Sequence, residues 1–153
     1  VVLRDIDIHN RKIYIHSDVR SRKVKQIENN PAIHLTCYDH EQKIQIRILG
    51  TAIVHYKNTI CKERWKNISK SARRCYLAEQ PPGTPLDKPG TGMNSRFDNL
   101  SYAILETENG FNNFSTIEIQ FNHLEWLYLS SHGHRRAYFV WRDNRWDGHW
   151  LIP

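Results

Sequence analysis

The residues best placed to do chemistry cluster first between His16 and Lys23, where the chain reads His-Ser-Asp-Val-Arg-Ser-Arg-Lys. This segment crosses from the end of an alternating strand pattern into the start of a short helix pattern. Arg20, Arg22, Lys23 and Lys25 all fall in or beside the first helical turn. A helix N-terminus carries roughly half a positive charge, so cations there are disfavoured. A bound anion resolves the conflict: free backbone N–H groups, the Ser17 and Ser21 hydroxyls and the Arg22 guanidinium together suit a dianionic phosphate. Read only as structure, Asp18 or Ser21 caps the helix and the basic side chains meet solvent.

A second candidate set is Gln45 and Arg47, which protrude from one face of a strand whose other face carries Ile44, Ile46 and Ile48. That face either meets water or lies over a polar ring that needs donors and acceptors. Lys62, Arg64, Lys66, Lys70, Arg73 and Arg74 give the following helix a basic surface, from which Arg73 or Arg74 could meet a further phosphate. A third set, His132-Gly133-His134-Arg135-Arg136, precedes a segment rich in aromatics (Tyr138, Trp141, Trp146, Trp150). One of its arginines could reach a cofactor. Its two histidines have no further ligands at a recognisable metal spacing, so no metal is expected.

No P-loop, GxSxG, HExxH or GxGxxG pattern occurs. Asp5, Asp7, Glu106 and Glu108 form no pair that spacing would bring to one substrate. With no side-chain catalyst in view, the pattern favours a cofactor that carries the chemistry, or a binding protein.

These residues need elements to position them. Alternation marks strands at Val1–Asp7, Lys12–Ser17, Ala32–Tyr38 and Lys43–His55, with His9-Asn10-Arg11 as a turn. Ser21–Asn29 reads as a helix stopped by Asn30-Pro31. Gly50 inside a strand marks a bulge or a close backbone approach. Asn58 or Thr59 caps a second helix running to about Leu77, and Gln80–Gly92 is a Pro- and Gly-rich loop. Met93–Glu108 reads as a helix followed by a loop. Strands return at Phe114–Phe121, His123–Leu129, Arg135–Arg142 and Arg145–Leu151, the last two joined by a turn at Asp143-Asn144. The sum is a mainly β, antiparallel fold of about eight strands with two or three helices, closed fully or partly into a barrel.

The length of 153 residues fits one domain, 1–153, with a core that needs no staple. A net charge of +6 attracts anions of several classes without choosing among them. Nucleic acid is disfavoured because the aromatics occupy patterned strand positions and are not interleaved with a basic stripe. No apolar run reaches the length of a membrane span. Three cysteines, Cys37, Cys61 and Cys75, form no CxxC, and a shared helix would hold Cys61 and Cys75 roughly 21 Å apart. Unpaired thiols point to a reducing, cytoplasmic setting. The chain starts at Val1 inside an apolar run, which reads as a trimmed N-terminus.

The order of these motifs resembles the pyridoxamine 5'-phosphate oxidase family of FMN-binding split barrels. The resemblance rests on VVLR at Val1–Arg4, a strand ending His16-Ser17, RSRK at Arg20–Lys23, Asn30-Pro31, QIRILG at Gln45–Gly50, the HRRAYF stretch and the terminal Trp-Leu-Ile-Pro. Trp65, the Arg pair after it and the Pro81–Gly83 turn resemble the oxidase-related subgroup. The resemblance implies FMN as cofactor: His16 and Ser17 along the flavin edge and phosphate, Arg22 and Lys23 on the phosphate, Gln45 on the ring, and Arg4 and Arg136 (or its neighbour Arg135) near cofactor or substrate. It also implies a homodimer with sites at the subunit interface and an FMN-dependent oxidoreductase whose substrate is unassigned. Alternatives are a true pyridoxamine 5'-phosphate oxidase, or a non-catalytic module binding flavin, deazaflavin or haem. The chain departs from the oxidases in three places. HGHRR does not align with their late Arg-x-His pair, Leu127 replaces a Trp, and Gln80-Pro81 replaces a Gln-Ser pair. These changes put the vitamin B6 reaction in doubt more than FMN binding.

Overall fold

The computed structural model describes residues 1–98 and 101–153. Among the described residues seven strands form one sheet: β1 (Leu3–Asp7), β2 (Lys12–Asp18), β3 (Ala32–Asp39), β4 (Ile44–Tyr56), β5 (Phe114–Tyr128), β6 (Arg135–Arg142) and β7 (Arg145–Leu151). The order is β1-β2-β5-β4-β3, with β6 pairing both β5 and β7. The β3–β4, β5–β6 and β6–β7 pairs are antiparallel. Among the described residues three α-helices accompany them: α1 (Arg22–Asn29), α2 (Thr59–Lys66) and α3 (Lys70–Arg73). Among the described residues no helix is long and apolar enough to cross a membrane.

The expected strands at Phe114–Phe121 and His123–Leu129 are one continuous strand, which makes seven strands of the expected eight. Asn122 is exposed but does not interrupt the ladder: Phe121 N–H donates to Arg11 O at 2.9 Å, and His123 pairs with Val140. The hairpin at Asp143-Asn144 has φ of 50° and 58°. Positive φ at both turn residues matches the right-handed twist of the flanking strands, and Asp and Asn tolerate it. Gly50 is the close approach that its position suggested. A Cβ there would stand 2.2 Å from Gln120 O and 2.8 Å from Phe121 Cα.

The single helix expected from Asn58 to Leu77 is broken. Asn58 caps α2 by accepting from Cys61 N–H at 3.1 Å, and α2 ends at Asn67. Ser69 then caps α3, accepting from Ala72 N–H at 3.3 Å. Arg73 fixes the break. Its guanidinium donates to Trp65 O at 2.7 Å, which also accepts from Ile68 N–H at 3.1 Å, and to Lys66 O at 3.4 Å, both at the end of α2. Arg73 also pairs with Glu108, whose other oxygen accepts from Trp65 Nε1 at 2.9 Å. Arg73 is buried, and Arg74 donates to Phe97 O at 2.7 Å. Both arginines hold the chain in place, so neither serves the further phosphate considered for them. Because the helix is interrupted, the spacing argument for Cys61 and Cys75 lapses, and the three cysteines are free thiols.

The region expected as helix then loop has its main helical piece later. A 3-10 turn spans Ser95–Phe97 and a longer 3-10 helix spans Ile104–Asn112, started by Glu106 accepting from Ala103 N–H at 2.7 Å. Part of that expectation, residues 99–100, lies outside the described residues.

The chain divides into two compact units. One comprises Val1–Asp5, Tyr14–Asn30 and Ile53–Glu118; the other comprises Ile6–Ile13, Pro31–Ala52 and Ile119–Pro153. The first has an aromatic core: Phe114, fully buried, meets Trp65 at 5.2 Å and Tyr76 at 5.2 Å between ring centroids, with Cys61 and Ile68 around them. Burial pushes the Tyr76 hydroxyl up to about 12, so it stays protonated at any physiological pH. The second unit packs Ile48, Ala52, Phe121 and Ala137.

Candidate functional site

In the first unit, β2 ends at Asp18, and the turn into α1 is built around that carboxylate. Asp18 accepts from the Arg20 backbone N–H at 2.8 Å and from its guanidinium at 2.7 and 3.0 Å. Arg20 reaches on to the carbonyls of Ala78 and Glu79 at 3.0 and 3.2 Å. Arg20 and Asp18 therefore neutralise each other and are structural. Val19 N–H donates to Asn113 O at 2.8 Å, and Ser115 Oγ donates to Ser17 O at 2.8 Å, fixing the turn against β5.

Ser21 occupies the N-cap of α1, but its side chain makes no capping bond. Its hydroxyl lies 3.0 Å from that of Ser17, and both residues are buried. The first turn of α1 carries no acidic residue. Arg22 and Lys23 are exposed and make no hydrogen bond or ion pair with the described residues. Ser21 thus stands at the N-cap without a side-chain capping bond and the Asp18 carboxylate is turned to Arg20, while Arg22 and Lys23 meet solvent as the alternative reading has them. Four of the expected site residues, Ser17, Ser21, Arg22 and Lys23, come together at a helix N-terminus whose donors have no side-chain acceptor.

His16 and Arg4 belong to the same unit and line a cavity of about 470 Å³ with Arg64, Asn67 and Ser69. His16 packs edge-on to Phe114, at 4.9 Å between centroids, and its Nε2 is buried without a partner. Burial, reinforced by the nearby charges of Arg4 and Arg64, lowers its pKa to about 4. His16 is thus a neutral imidazole at pH 7, a donor or acceptor but not a cation. Arg64, which sequence reasoning did not single out for this role, lies 3.7 Å over the Tyr14 ring and pairs with Asp5 at 3.1 Å. Its position on α2, one turn from Ile60 and Ile68 on the buried face, was its only signal.

Gln45, Arg47 and Arg136 lie in the second unit. They do not stand as independent side chains, because Glu125 links them. Glu125 is buried in β5, accepts from Arg136 Nη2 at 2.6 Å and from Arg47 Nη1 at 3.3 Å. With its amide oxygen turned towards Arg47, Gln45 accepts from Nε and Nη2 at 2.9 and 3.2 Å. Glu125 was missed. Its signal was faint: an acid on the face of β5 shared with Leu127, opposite Trp126. Its contact with Arg47 joins residues 78 apart in sequence, which no local pattern encodes.

Comparison with known proteins bears on both sets of residues. Residues 1–56 match the model of the family described as pyridoxamine 5'-phosphate oxidase, FMN-binding domain. The chain is similar to that FMN-binding family. The matched stretch holds Arg4, His16, Ser17, Ser21, Arg22, Lys23, Gln45 and Arg47; Arg136 lies beyond it. Among solved structures, a pyridoxamine 5'-phosphate oxidase-related, FMN-binding protein from Nostoc punctiforme superposes with a TM-score of 0.76 at 19% identity, covering 99% of this chain and 78% of that one. PhzG from Burkholderia lata, solved with tetrahydrophenazine-1-carboxylic acid, gives a TM-score of 0.73 at 17% identity over 99% of this chain and 72% of that one. At these identities the likeness concerns the fold, which is the mainly β, split-barrel fold of the oxidase-related proteins. No curated protein matches the sequence.

Proposed function

We propose that this chain is an FMN-binding oxidoreductase of the pyridoxamine 5'-phosphate oxidase-like kind, acting on a small molecule that is not yet assigned. One observation carries the reading: the N-terminus of α1 has no side-chain cap and no acid in its first turn, yet it gathers two hydroxyls and two unpaired cations. A phosphomonoester dianion satisfies all of these at once, through backbone N–H groups, hydroxyl donors and charge-assisted bonds. The family match over residues 1–56 supports FMN as the molecule that brings the phosphate.

In this reading Arg22 and Lys23 hold the phosphate, and Ser17 and Ser21 donate to its oxygens. Neutral His16 lines the flavin without adding charge. Arg4 and Arg136 stand near cofactor or substrate, and Arg47 with Gln45 serves the ring. When bound, FMN supplies the hydride chemistry. The guanidinium groups favour negative charge where it develops, and Gln45 fixes hydrogen-bond polarity. The proposal includes a homodimer with sites at the subunit interface, in the cytoplasm. The whole chain is taken as one FMN-binding domain.

The test is an absorbance spectrum of the purified protein, followed by analysis of what heat denaturation releases. A flavin spectrum with FMN in the supernatant is the expected result. A colourless protein that also fails to take up added FMN would overturn the reading. Turnover of pyridoxamine 5'-phosphate with release of hydrogen peroxide would identify a true oxidase. Tight flavin binding with no reductase activity towards any donor would identify a storage or sensing module.

A further inference from the structure

Glu125 sits in β5 between Leu124 and Trp126 and is only 7% exposed. A carboxylate withdrawn from water is costly unless it is paired, and removing one partner leaves an uncompensated charge. Here the two oxygens go to arginines on two different strands: Arg136 of β6 at 2.6 Å and Arg47 of β4 at 3.3 Å. Arg47 in turn donates to the Gln45 amide oxygen. Gln45, Arg47, Glu125 and Arg136 therefore form one hydrogen-bonded row across three adjacent strands, all within the second unit.

Two consequences follow from the chemistry of the row. Its acceptors, the Gln45 carbonyl and the Glu125 carboxylate, are both engaged inside it. The groups left to meet a ligand are donors. They are the Gln45 amide N–H groups on the side away from Arg47 and the outer N–H groups of guanidiniums 42% and 31% exposed at the side chain. Arg136 Nε is buried without a partner and is not among them. In charge, Glu125 offsets one of the two arginines, so a ligand edge meets one net positive charge.

We propose that Glu125 is a positioning residue that presents Gln45, Arg47 and Arg136 as a donor-only row for a ring edge bearing carbonyl and imine acceptors. Its own charge limits how strongly the row favours negative charge on that ring. The inference rests on the FMN reading for the identity of the ring. The arrangement of the row stands on the side-chain geometry alone.

Glu125→Gln keeps the shape of the side chain and removes its charge, turning an N–H towards one arginine. The first readout uses the protein without FMN: the side-chain amide resonances of Gln45 in 15N NMR, assigned by their loss in Gln45→Leu. They are expected to move towards the position of a solvated glutamine in Glu125→Gln. Arg47→Met should produce the same change and serves if Glu125→Gln does not fold. Unchanged Gln45 resonances in a folded variant would overturn the positioning role. The second readout is the midpoint potential of the FMN-loaded protein, expected to rise in Glu125→Gln and to stay near the wild-type value in Glu125→Asp. An unchanged potential in Glu125→Gln would overturn the electrostatic role. If the wild-type protein takes up no FMN, the cofactor reading fails separately, and the Gln45 resonances alone decide the row.

Discussion

Arg22 and Lys23 stand at the helix end where cations are electrostatically disfavoured, and among the described residues no anion pairs with them. Their sense lies in a ligand. Arg22→Ala should therefore weaken FMN binding by roughly tenfold to a hundredfold, the loss of a charge-assisted hydrogen bond, while leaving thermal stability without ligand unchanged or slightly higher. Fluorescence titration with FMN checks this, and equal affinity in wild type and variant would remove the phosphate from this site. His16 makes a different prediction. Its folded-state pKa is about 4 against 6.5 for an unperturbed histidine, because burial disfavours the imidazolium. Between those values the unfolded chain binds the proton and the folded chain does not. Its contribution to stability is thus complete above the unfolded value and is lost as pH falls from 6.5 towards 4. His16→Phe should flatten the pH dependence of the urea midpoint across that window; an identical slope in the variant would mean that His16 is not the titrating group.

Among the elements, β4 and α2 show most plainly how local rules yield to packing. Gly50 lies where β4 passes the β5 backbone so closely that no Cβ fits, with the obstacle at 2.2 Å being a carbonyl oxygen and not a movable side chain. Gly50→Ala should cost about 2–3 kcal/mol, at the upper end for overpacking a rigid site, as a lowered urea midpoint with unchanged slope. The break between α2 and α3 depends on Arg73, which caps the end of α2 from a distance of seven and eight residues. Arg73→Met would remove the guanidinium from the Trp65 carbonyl, which keeps only backbone donors, and separate Glu108 from its partner. A loss of about 1–3 kcal/mol is expected, measured by thermal denaturation, and no change would mean that water replaces the guanidinium at no cost. The same six basic residues of this stretch that read as one surface in the sequence are thus divided by the fold. Arg64 meets Tyr14 and Asp5, Lys70 donates to Tyr102 O, and Arg73 and Arg74 turn inward.

At the scale of the molecule, the dimer proposed here has a physical companion in the second unit. Trp150 is 72% and Ile152 91% exposed at the end of the chain, beside the aromatic face of β5, β6 and β7. Exposed apolar surface of this kind is commonly covered by a partner. Sedimentation at micromolar protein should give a mass of two chains, and a monomer at every concentration would remove the dimer from the proposal. The sequence by itself determined what depends on near neighbours. It set the strands at Arg135–Arg142 and Arg145–Leu151 and the turn between them, since alternation and the φ preferences of Asp143 and Asn144 are local. It marked α1 with its Val24 face, and the unusual cations at the start of that helix. It also contained enough ordered motifs to show the resemblance to the FMN-binding family. Tertiary structure decided the rest. It carried β5 through Asn122, because the hydrogen bonds that hold a strand together come from its neighbours. It broke the helix after Lys66, where Ser69 starts α3 and the Arg73 guanidinium reaches back to the Trp65 and Lys66 carbonyls. It drew Glu125 between Arg47 and Arg136 and made His16 neutral. Ion pairing and desolvation depend on groups far apart in the chain, so they become definite only when the strands are in place.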